Sequence, residues 1–330
     1  SFFFFFFLLL LLRMLVHLVV AFFPAHQTNK RQKKVTRGMK RVQNYDIVRR
    51  LGQGSFGTVY LAQVRGQPHK HVAMKIERIS GPKACKVPQL AYEKRVYQEL
   101  CKDKNHGQYG IPRLFWGGEW AGKYNCLATQ LFETDLETLF RSQRARFTRR
   151  AILDLAVQFC ESLWFLHSKG FIHRDIKPQN WCVAAGRGRM KPYLIDYGLA
   201  KKFIDSNGLH IPFRDGKSLT GTPRYASIPC MQGIEQSRRD DMEAILYQII
   251  YLFKGKLPWQ GLRGGNGNGS KKKEKHARIL QRKLETPLRE LCRGCPSSVR
   301  RILARVKSMS FTEEPRYARF VQALAEDRDR

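Results

Sequence analysis

One eight-residue string, HRDIKPQN at residues 173–180, constrains the fold of this chain more than any other feature. It follows a long helical pattern of apolar residues through the short link GFI. Asp175 is suited to accept a hydrogen bond from a hydroxyl group, and Asn180 has an amide oxygen that can reach a Mg²⁺ ion. His173 and Arg174 are interpreted as residues that orient the loop. The string therefore predicts a loop that carries chemistry, held by the helix before it.

A glycine-rich turn and two charged residues precede this loop. The string LGQGSFGTV places Gly52, Gly54 and Gly57 between two predicted strands, so that the backbone can approach a phosphate without interference from Cβ atoms. By itself this pattern is weak, because similar hairpins occur as structural turns. Lys75, in VAMK on the third predicted strand, could reach phosphates beneath the turn, although a surface lysine is the simpler interpretation. Glu93, on the next predicted helix, is placed to pair with Lys75.

A second aspartate, Asp196, stands in the string DYG. It is suited to hold a Mg²⁺ ion that bridges two phosphates. Tyr197 replaces the phenylalanine usual in this string, and its hydroxyl needs a partner if the ring is buried. The strings occur in the order typical of protein kinases, so the chain resembles that class. The resemblance implies a phosphotransferase that uses ATP and Mg²⁺ as cofactors.

The resemblance also assigns roles to individual residues. Lys177 has the form found in kinases that act on Ser and Thr, where its ammonium neutralises charge on the phosphoryl group in transfer. Thr129 matches the residue at the inner wall of the ATP site, and Gln130 and Leu131 would present backbone groups to adenine. Catalytic roles fall on Asp175, Lys177, Lys75 and Glu93, and metal binding falls on Asn180 and Asp196. Nucleotide contacts are predicted at Gly52, Gln53, Gly54, Ser55, Phe56, Gly57, Val59, Ala73, Lys75, Thr129, Gln130 and Leu131.

Hydrophobic patterning predicts an α+β fold with two lobes, as in the bilobal protein kinase fold. Three strands are expected in YDIVRRLG, GTVYLAQV and HVAMKIER, followed by a helix near residues 88–101 and further strand character in RLFWGGEW and YNCLATQLF. Beyond that point helical patterns dominate, including one at residues 148–169. We therefore expect a small β-rich N-lobe with one regulatory helix at residues 45–132 and a larger, mainly helical C-lobe at residues 133–325.

The sequence after Asp196 resembles the casein kinase 1 family. The usual APE string is absent, and LTGTPRYASI and GIEQSRRDDMEA stand in its place, with HIPFR, LPWQGL and ELCRGCPS nearby. The resemblance implies that Asp241 is a buried aspartate that supports the catalytic loop from behind. It also implies protein substrates that are acidic or already carry a phosphate three residues before the target. Arg224, Gly261 and Lys275 match the anion-binding positions of the family.

Two other classes of function stay open. A pseudokinase would use the same fold as a scaffold or binding module without turnover, although the presence of every required group argues against it. The excess of 60 Lys and Arg over 27 Asp and Glu would attract nucleic acid, and residues 141–150 contain five arginines. No nucleic-acid-binding motif accompanies this charge, so we expect a solvated basic face and no specific nucleic acid partner.

The amino-terminal segment also has two interpretations. Residues 1–23 are almost wholly apolar and long enough to span a bilayer, in which case the bases that follow would keep the catalytic part on the cytosolic side. The alternative is that residues 1–38 are not translated, which is favoured by the lack of an initiator methionine and by Met39 just before the first predicted strand. The eight cysteines form no regular framework, which favours a reducing compartment. We expect a monomer in the cytoplasm, or also in the nucleus, with membrane contact only through residues 1–23.

Overall fold

A computed structural model gives the fold and describes residues 39–54, 57–82, 84–184, 190–262 and 271–330. The chain divides into two units, Ser1–Val42 and Gln43–Arg330. In the first unit the structure describes residues 39–42, which include a two-residue strand at Arg41–Val42. The predicted apolar and basic segment at residues 1–38 lies outside the described residues. All elements named below belong to the second unit.

An antiparallel sheet and one helix form the amino-terminal part of the second unit. The strands are β1 (Tyr45–Gly54), β2 (Gly57–Val64), β3 (His71–Arg78), β4 (Leu114–Trp120) and β5 (Tyr124–Thr129), and the helix is α1 (Leu90–Leu100). The strands lie in the order β1-β2-β3-β5-β4. Glu77, at the end of β3, accepts hydrogen bonds from the backbone N–H groups of Gln89 (2.7 Å) and Leu90 (3.1 Å). A buried carboxylate therefore caps the start of α1 and fixes this helix to the sheet.

Helices dominate the remainder of the chain. They are α2 (Leu136–Ser142), α3 (Arg149–Ser168), α4 (Ile228–Met231), α5 (Arg238–Lys254), α6 (Lys271–Glu285), α7 (Leu288–Leu291), α8 (Ser297–Lys307) and α9 (Tyr317–Asp329). Short strands accompany them: β6 (Thr134–Asp135), β7 (Phe171–Ile172), β8 (Trp181–Ala184), β9 (Lys191–Leu194) and β10 (Lys201–Lys202). They form a three-stranded sheet, β9-β8-β6, and a two-stranded one, β10-β7.

The core of the helical part lies between α3 and α5. Thr148 caps α3, because its hydroxyl accepts a hydrogen bond from the Ala151 backbone N–H at 3.2 Å. Gly170, at a φ of 79°, turns the chain after α3 so that HRDIKPQN begins three residues later, after β7. Helix α5 begins four residues before the predicted apolar run, because Asp240 completes a capping box with Ser237. The long helix thus delivers the loop, and α5 supports it.

The predicted α+β fold, with a small β-rich N-lobe that has one helix and a larger, mainly helical C-lobe, is confirmed. The exact lobe limits, residues 45–132 and 133–325, stay a prediction. Within the described ranges, the structure contains no helix with the length and apolar character needed to span a bilayer, and this includes α5.

Candidate active site

Several of the predicted nucleotide contacts lie on one face of the antiparallel sheet formed by β1 to β5. Val59 lies directly opposite Lys75, and Ala73 lies opposite Thr129, so these four side chains share a face of the sheet. Gly57, at the start of β2, packs so closely that a Cβ atom there would lie 2.6 Å from the Ile76 carbonyl oxygen. Glycine is therefore required at this position for the strands to approach. The predicted contacts Ser55 and Phe56 lie outside the described residues.

Lys75 joins the sheet, helix α1 and the DYG string. Its Nζ donates to Glu93 Oε2 at 2.6 Å and to Asp196 Oδ1 at 2.7 Å. Burial lowers the pKa of Lys75, but the two carboxylates outweigh it, and the pKa lies above its ordinary value. The predicted pair of Lys75 and Glu93 is thus formed, and Asp196 shares the same ammonium.

The pKa values of the two carboxylates around Lys75 are shifted in opposite directions. Burial raises the pKa of Glu93 to about 7, and the Lys75 ammonium only partly opposes that shift. Burial also acts to raise the pKa of Asp196, but Lys75 holds it below the ordinary value, so Asp196 is ionised at neutral pH. With both carboxylates ionised, this cluster carries a formal charge of −1, which suits a cation bound beside Asp196.

Asp175 lies against two side chains of the site, Lys177 and Thr222. It is 8% exposed. Lys177 Nζ donates to its Oδ2 at 2.5 Å, and the Thr222 hydroxyl donates to its Oδ1 at 2.7 Å. Both Asp175 oxygens are therefore oriented by hydrogen-bond donors, and Thr222 is a contact that the sequence did not reveal.

The loop that carries Asp175 is fixed from behind by Asp241, as the family resemblance implied. Asp241 Oδ2 accepts from the His173 backbone N–H at 2.6 Å, and Oδ1 accepts from the Arg174 backbone N–H at 2.9 Å. Arg174 has a φ of 69°, a left-handed conformation that is strained for an arginine. The buried carboxylate at 2% exposure thus stabilises a strained backbone next to Asp175.

Two side chains connect this loop to the segment around DYG. His173 Nε2 lies 3.1 Å from the Ile195 carbonyl oxygen, and Arg174 Nε donates to the Leu199 carbonyl oxygen at 2.7 Å. Because a carbonyl only accepts, Nε2 of His173 must carry the proton. The contacts agree with the interpretation of both residues as orienting groups.

Asn180 and Asp196 offer oxygen ligands of the type that Mg²⁺ prefers. Asn180 uses its Nδ2 to donate to the Asp175 carbonyl oxygen at 2.8 Å, so its amide oxygen is left for a cation. Asp196 has a φ of 68°, a strained conformation that is frequent at functional sites. No group of three or more His, Cys, Asp or Glu side chains able to hold a metal occurs in the described part of the chain. Asn180 and Asp196 therefore fit a metal that completes its shell with phosphate oxygens and water.

The hydroxyl of Tyr197 has a hydrogen-bond partner inside the protein. The ring is fully buried, and the hydroxyl donates to the Leu194 carbonyl oxygen at 2.9 Å. The ring packs edge-on against Tyr97 of α1, with centroids 4.9 Å apart. The substitution of tyrosine for phenylalanine in DYG is thus accommodated inside the site, and it connects this segment to α1.

One cleft of about 1060 Å³ brings most of the predicted site residues together. Gly57 and Asp175 do not line it, since Asp175 lies just beneath Lys177 and Thr222. Lys272 and His276 of α6 line the cleft as well, although no motif marks them in the sequence. The predicted residues that line it are Gly52, Gln53, Gly54, Val59, Ala73, Lys75, Glu93, Thr129, Gln130, Leu131, Lys177, Asn180, Asp196, Arg224, Gly261 and Lys275.

The small side chain of Thr129 leaves room at the inner wall of this cleft. We expect Thr129→Met to weaken an inhibitor with a bulky group at that wall by about tenfold, because overpacking costs roughly 1–3 kcal/mol. Inhibitor titrations of both proteins at matched ATP saturation measure the change, and the KM for ATP serves as the control. Equal potency against both proteins would contradict the prediction.

A comparison with known families finds a match over most of the chain. The family model described as "Protein kinase domain" covers residues 45–317 of this chain. The match runs from the first residue of β1 to the first residue of α9 and includes every element that positions the cleft.

Proposed function

The chain belongs to the protein kinase domain family, and from that premise we propose that it transfers the γ-phosphate of ATP to Ser or Thr hydroxyls of acidic or already phosphorylated proteins. One observation carries the proposal: Lys75, Asn180 and Asp196 line a single cleft. Asp175 lies next to that cleft, hydrogen-bonded to Lys177, which also lines it. These groups have the charges and positions that phosphoryl transfer requires.

The reaction needs positioning and charge stabilisation more than covalent chemistry by the protein. Lys75, held by Glu93, would bind the α- and β-phosphates. Asn180 and Asp196 would hold Mg²⁺, which neutralises charge on the β- and γ-phosphates when bound.

Asp175 would accept the hydrogen bond of the attacking hydroxyl and orient its lone pair toward the γ-phosphorus. The new O–P bond forms as the bond to the ADP oxygen breaks, and the hydroxyl proton passes to Asp175. Lys177, whose Nζ lies 2.5 Å from Asp175 Oδ2, would neutralise charge on the phosphoryl group in transfer. The incoming hydroxyl would take the place of the Thr222 or Lys177 contact.

Casein kinase 1-like specificity is supported by the strings around Arg224 and Asp241 and by the position of three predicted anion-binding residues. Arg224, Gly261 and Lys275 come from three different segments and line the same cleft as Lys75. A phosphate of charge about −1.5 to −2 would be attracted there and could accept hydrogen bonds from an arginine and a lysine. A substrate already phosphorylated three residues before its target is therefore the preferred ligand in this proposal.

A peptide assay with Arg224→Ala tests the proposed function. Wild type is expected to phosphorylate a peptide with phosphoserine three residues before the acceptor faster than peptides with Asp or Ala there. Arg224→Ala is expected to reduce the kcat/KM ratio of the primed peptide to the Ala peptide by about tenfold or more, the size of a lost charge-assisted hydrogen bond. Wild-type rates that do not depend on the residue at that position would refute the proposed preference.

A further inference from the structure

A buried lysine on α6, Lys283, contacts the segment that bears Arg224. Lys283 is 2% exposed, although it lies in a helix rich in solvated lysines. Its Nζ donates to the carbonyl oxygen of Pro223 at 2.9 Å and also to that of Ala226. The ammonium thus joins α6 to the backbone on both sides of Arg224 and Tyr225.

Two aromatic rings also lie close to the Lys283 ammonium. Its Nζ lies 4.8 Å from the centroid of Tyr247 and 5.1 Å from that of Trp259. The Trp259 indole N–H itself donates to the Arg224 carbonyl oxygen at 2.7 Å. Three backbone carbonyls of residues 223–226 are therefore bound by one lysine and the tryptophan that packs on it.

The next residues of the same segment are held by carboxylates of α5. Ser227 donates its hydroxyl to Asp240 Oδ1 at 2.5 Å, and the Ile228 backbone N–H donates to Glu243 Oε1 at 3.1 Å. Ser227 and Ile228 belong to the segment that stands where most protein kinases have the APE string. Of the side chains described here that hold residues 223–228, Lys283 is the one that belongs to α6.

Helix α6 also carries Lys275, which lines the cleft with Arg224. Lys275 and Lys283 are eight residues apart, or about 12 Å along the helix axis. The helix therefore presents Lys275, together with Lys272, to the cleft and uses Lys283 to hold the Arg224 segment. We propose that Lys283 is a positioning residue that fixes Arg224 relative to Lys275 and so determines the preference for phosphorylated substrates, a role that rests on the proposed function.

The contact does not depend on the charge of Lys283. Burial lowers the pKa of Lys283 to about 7, with the Glu243 carboxylate opposing the shift. An ammonium has three N–H donors and a neutral amine has two, so either form can serve both carbonyls. Loss of the donors, rather than loss of charge, is the change that releases the segment.

Three variants separate positioning from simple stability. Lys283→Met removes the donors and keeps the apolar stem, and Lys283→Arg keeps them. Trp259→Phe removes the indole N–H and keeps a ring against Lys283, which provides a second route if Lys283→Met does not fold. Lys273→Met, on the exposed side of the same helix, is the matched control.

The measurement is kcat and KM for the phosphoserine-primed peptide and for its unprimed Ala counterpart. We expect Lys283→Met and Trp259→Phe to raise KM for the primed peptide about tenfold while kcat for the unprimed peptide stays within about twofold of wild type. Lys283→Arg and Lys273→Met are expected to keep the wild-type ratio.

The outcomes distinguish this inference from the proposed function. A wild-type preference for the primed peptide that persists unchanged in Lys283→Met and Trp259→Phe would overturn the role of Lys283 alone. Equal loss of kcat on both peptides would do the same, because it would mark a purely structural residue. If wild type itself shows no preference for the primed peptide, the proposed substrate class and the role of Lys283 are both wrong.

Discussion

Asp175→Asn is expected to reduce phosphate transfer by about a thousandfold or more while leaving the fold and ATP binding intact. The amide cannot take the proton of the attacking hydroxyl, and general base catalysis commonly contributes about 10²- to 10⁴-fold. Asparagine has nearly the same shape, and Asp175 makes no contact with Lys75 or Asp196 in the described network. Transfer to a primed peptide in the presence of Mg²⁺ gives the rate, and calorimetric titration with ATP gives the affinity.

The matched control for this substitution is Asp215→Asn, the same chemical change at an exposed position. It should transfer phosphate at the wild-type rate. An Asp175→Asn protein that keeps more than about a tenth of the wild-type rate would contradict the assigned role. If folded wild-type protein binds ATP but transfers no phosphate in the same assay, the scaffold function considered for a pseudokinase becomes the better explanation.

The sequence predicted those site residues that contact other side chains and that belong to motifs with a fixed spacing along the chain. Lys75 and Glu93 could be paired in advance, because a strand and the next helix bring them to the same face. Asp241 was found only through the family resemblance, since its acceptor role toward the backbone of residues 173 and 174 leaves no periodic signal. Its position immediately before the apolar run of α5 looks like an ordinary solvated helix start.

The sequence did not predict contacts that depend on backbone carbonyls or on segments far apart in the chain. Lys283 looks like one more lysine in a basic helix, and the only hint is its position four residues after the buried Ile279, on the apolar face. Thr222 gives no sign that it donates to Asp175, because 47 residues separate them. Lys272 and His276 follow a long glycine-rich stretch, so the sequence does not show that they lie beside the cleft.

A substitution on the buried side of the catalytic loop should lower the stability of the protein as well as its activity. Asp241→Asn is expected to lower the free energy of unfolding by about 3 kcal/mol, because an amide group must then face one of two backbone N–H donors in a buried site. If the amide group takes the place of Oδ2, His167 also loses its acceptor, since its Nε2 lies 3.1 Å from Asp241 Oδ2. Urea unfolding of wild type, Asp241→Asn and the Asp215→Asn control measures the difference, and coincident wild-type and Asp241→Asn curves would contradict it.

The pH dependence of the stability difference between wild type and Asp241→Asn shows whether the Asp241 carboxylate causes that difference. Burial acts to raise the pKa of Asp241, but the hydrogen bond and charge of His167 and the His173 backbone N–H outweigh it, and the pKa lies below its ordinary value. A carboxylate with a depressed folded pKa stabilises the protein fully above its unfolded value, about 3.9, and loses that contribution as the pH falls through the folded value. The difference in unfolding temperature between wild type and Asp241→Asn should therefore be constant from about pH 7 to pH 5 and shrink below about pH 4.

The transfer activity of Asp241→Asn should fall about a hundredfold at neutral pH, because the strained Arg174 backbone relaxes and moves Asp175.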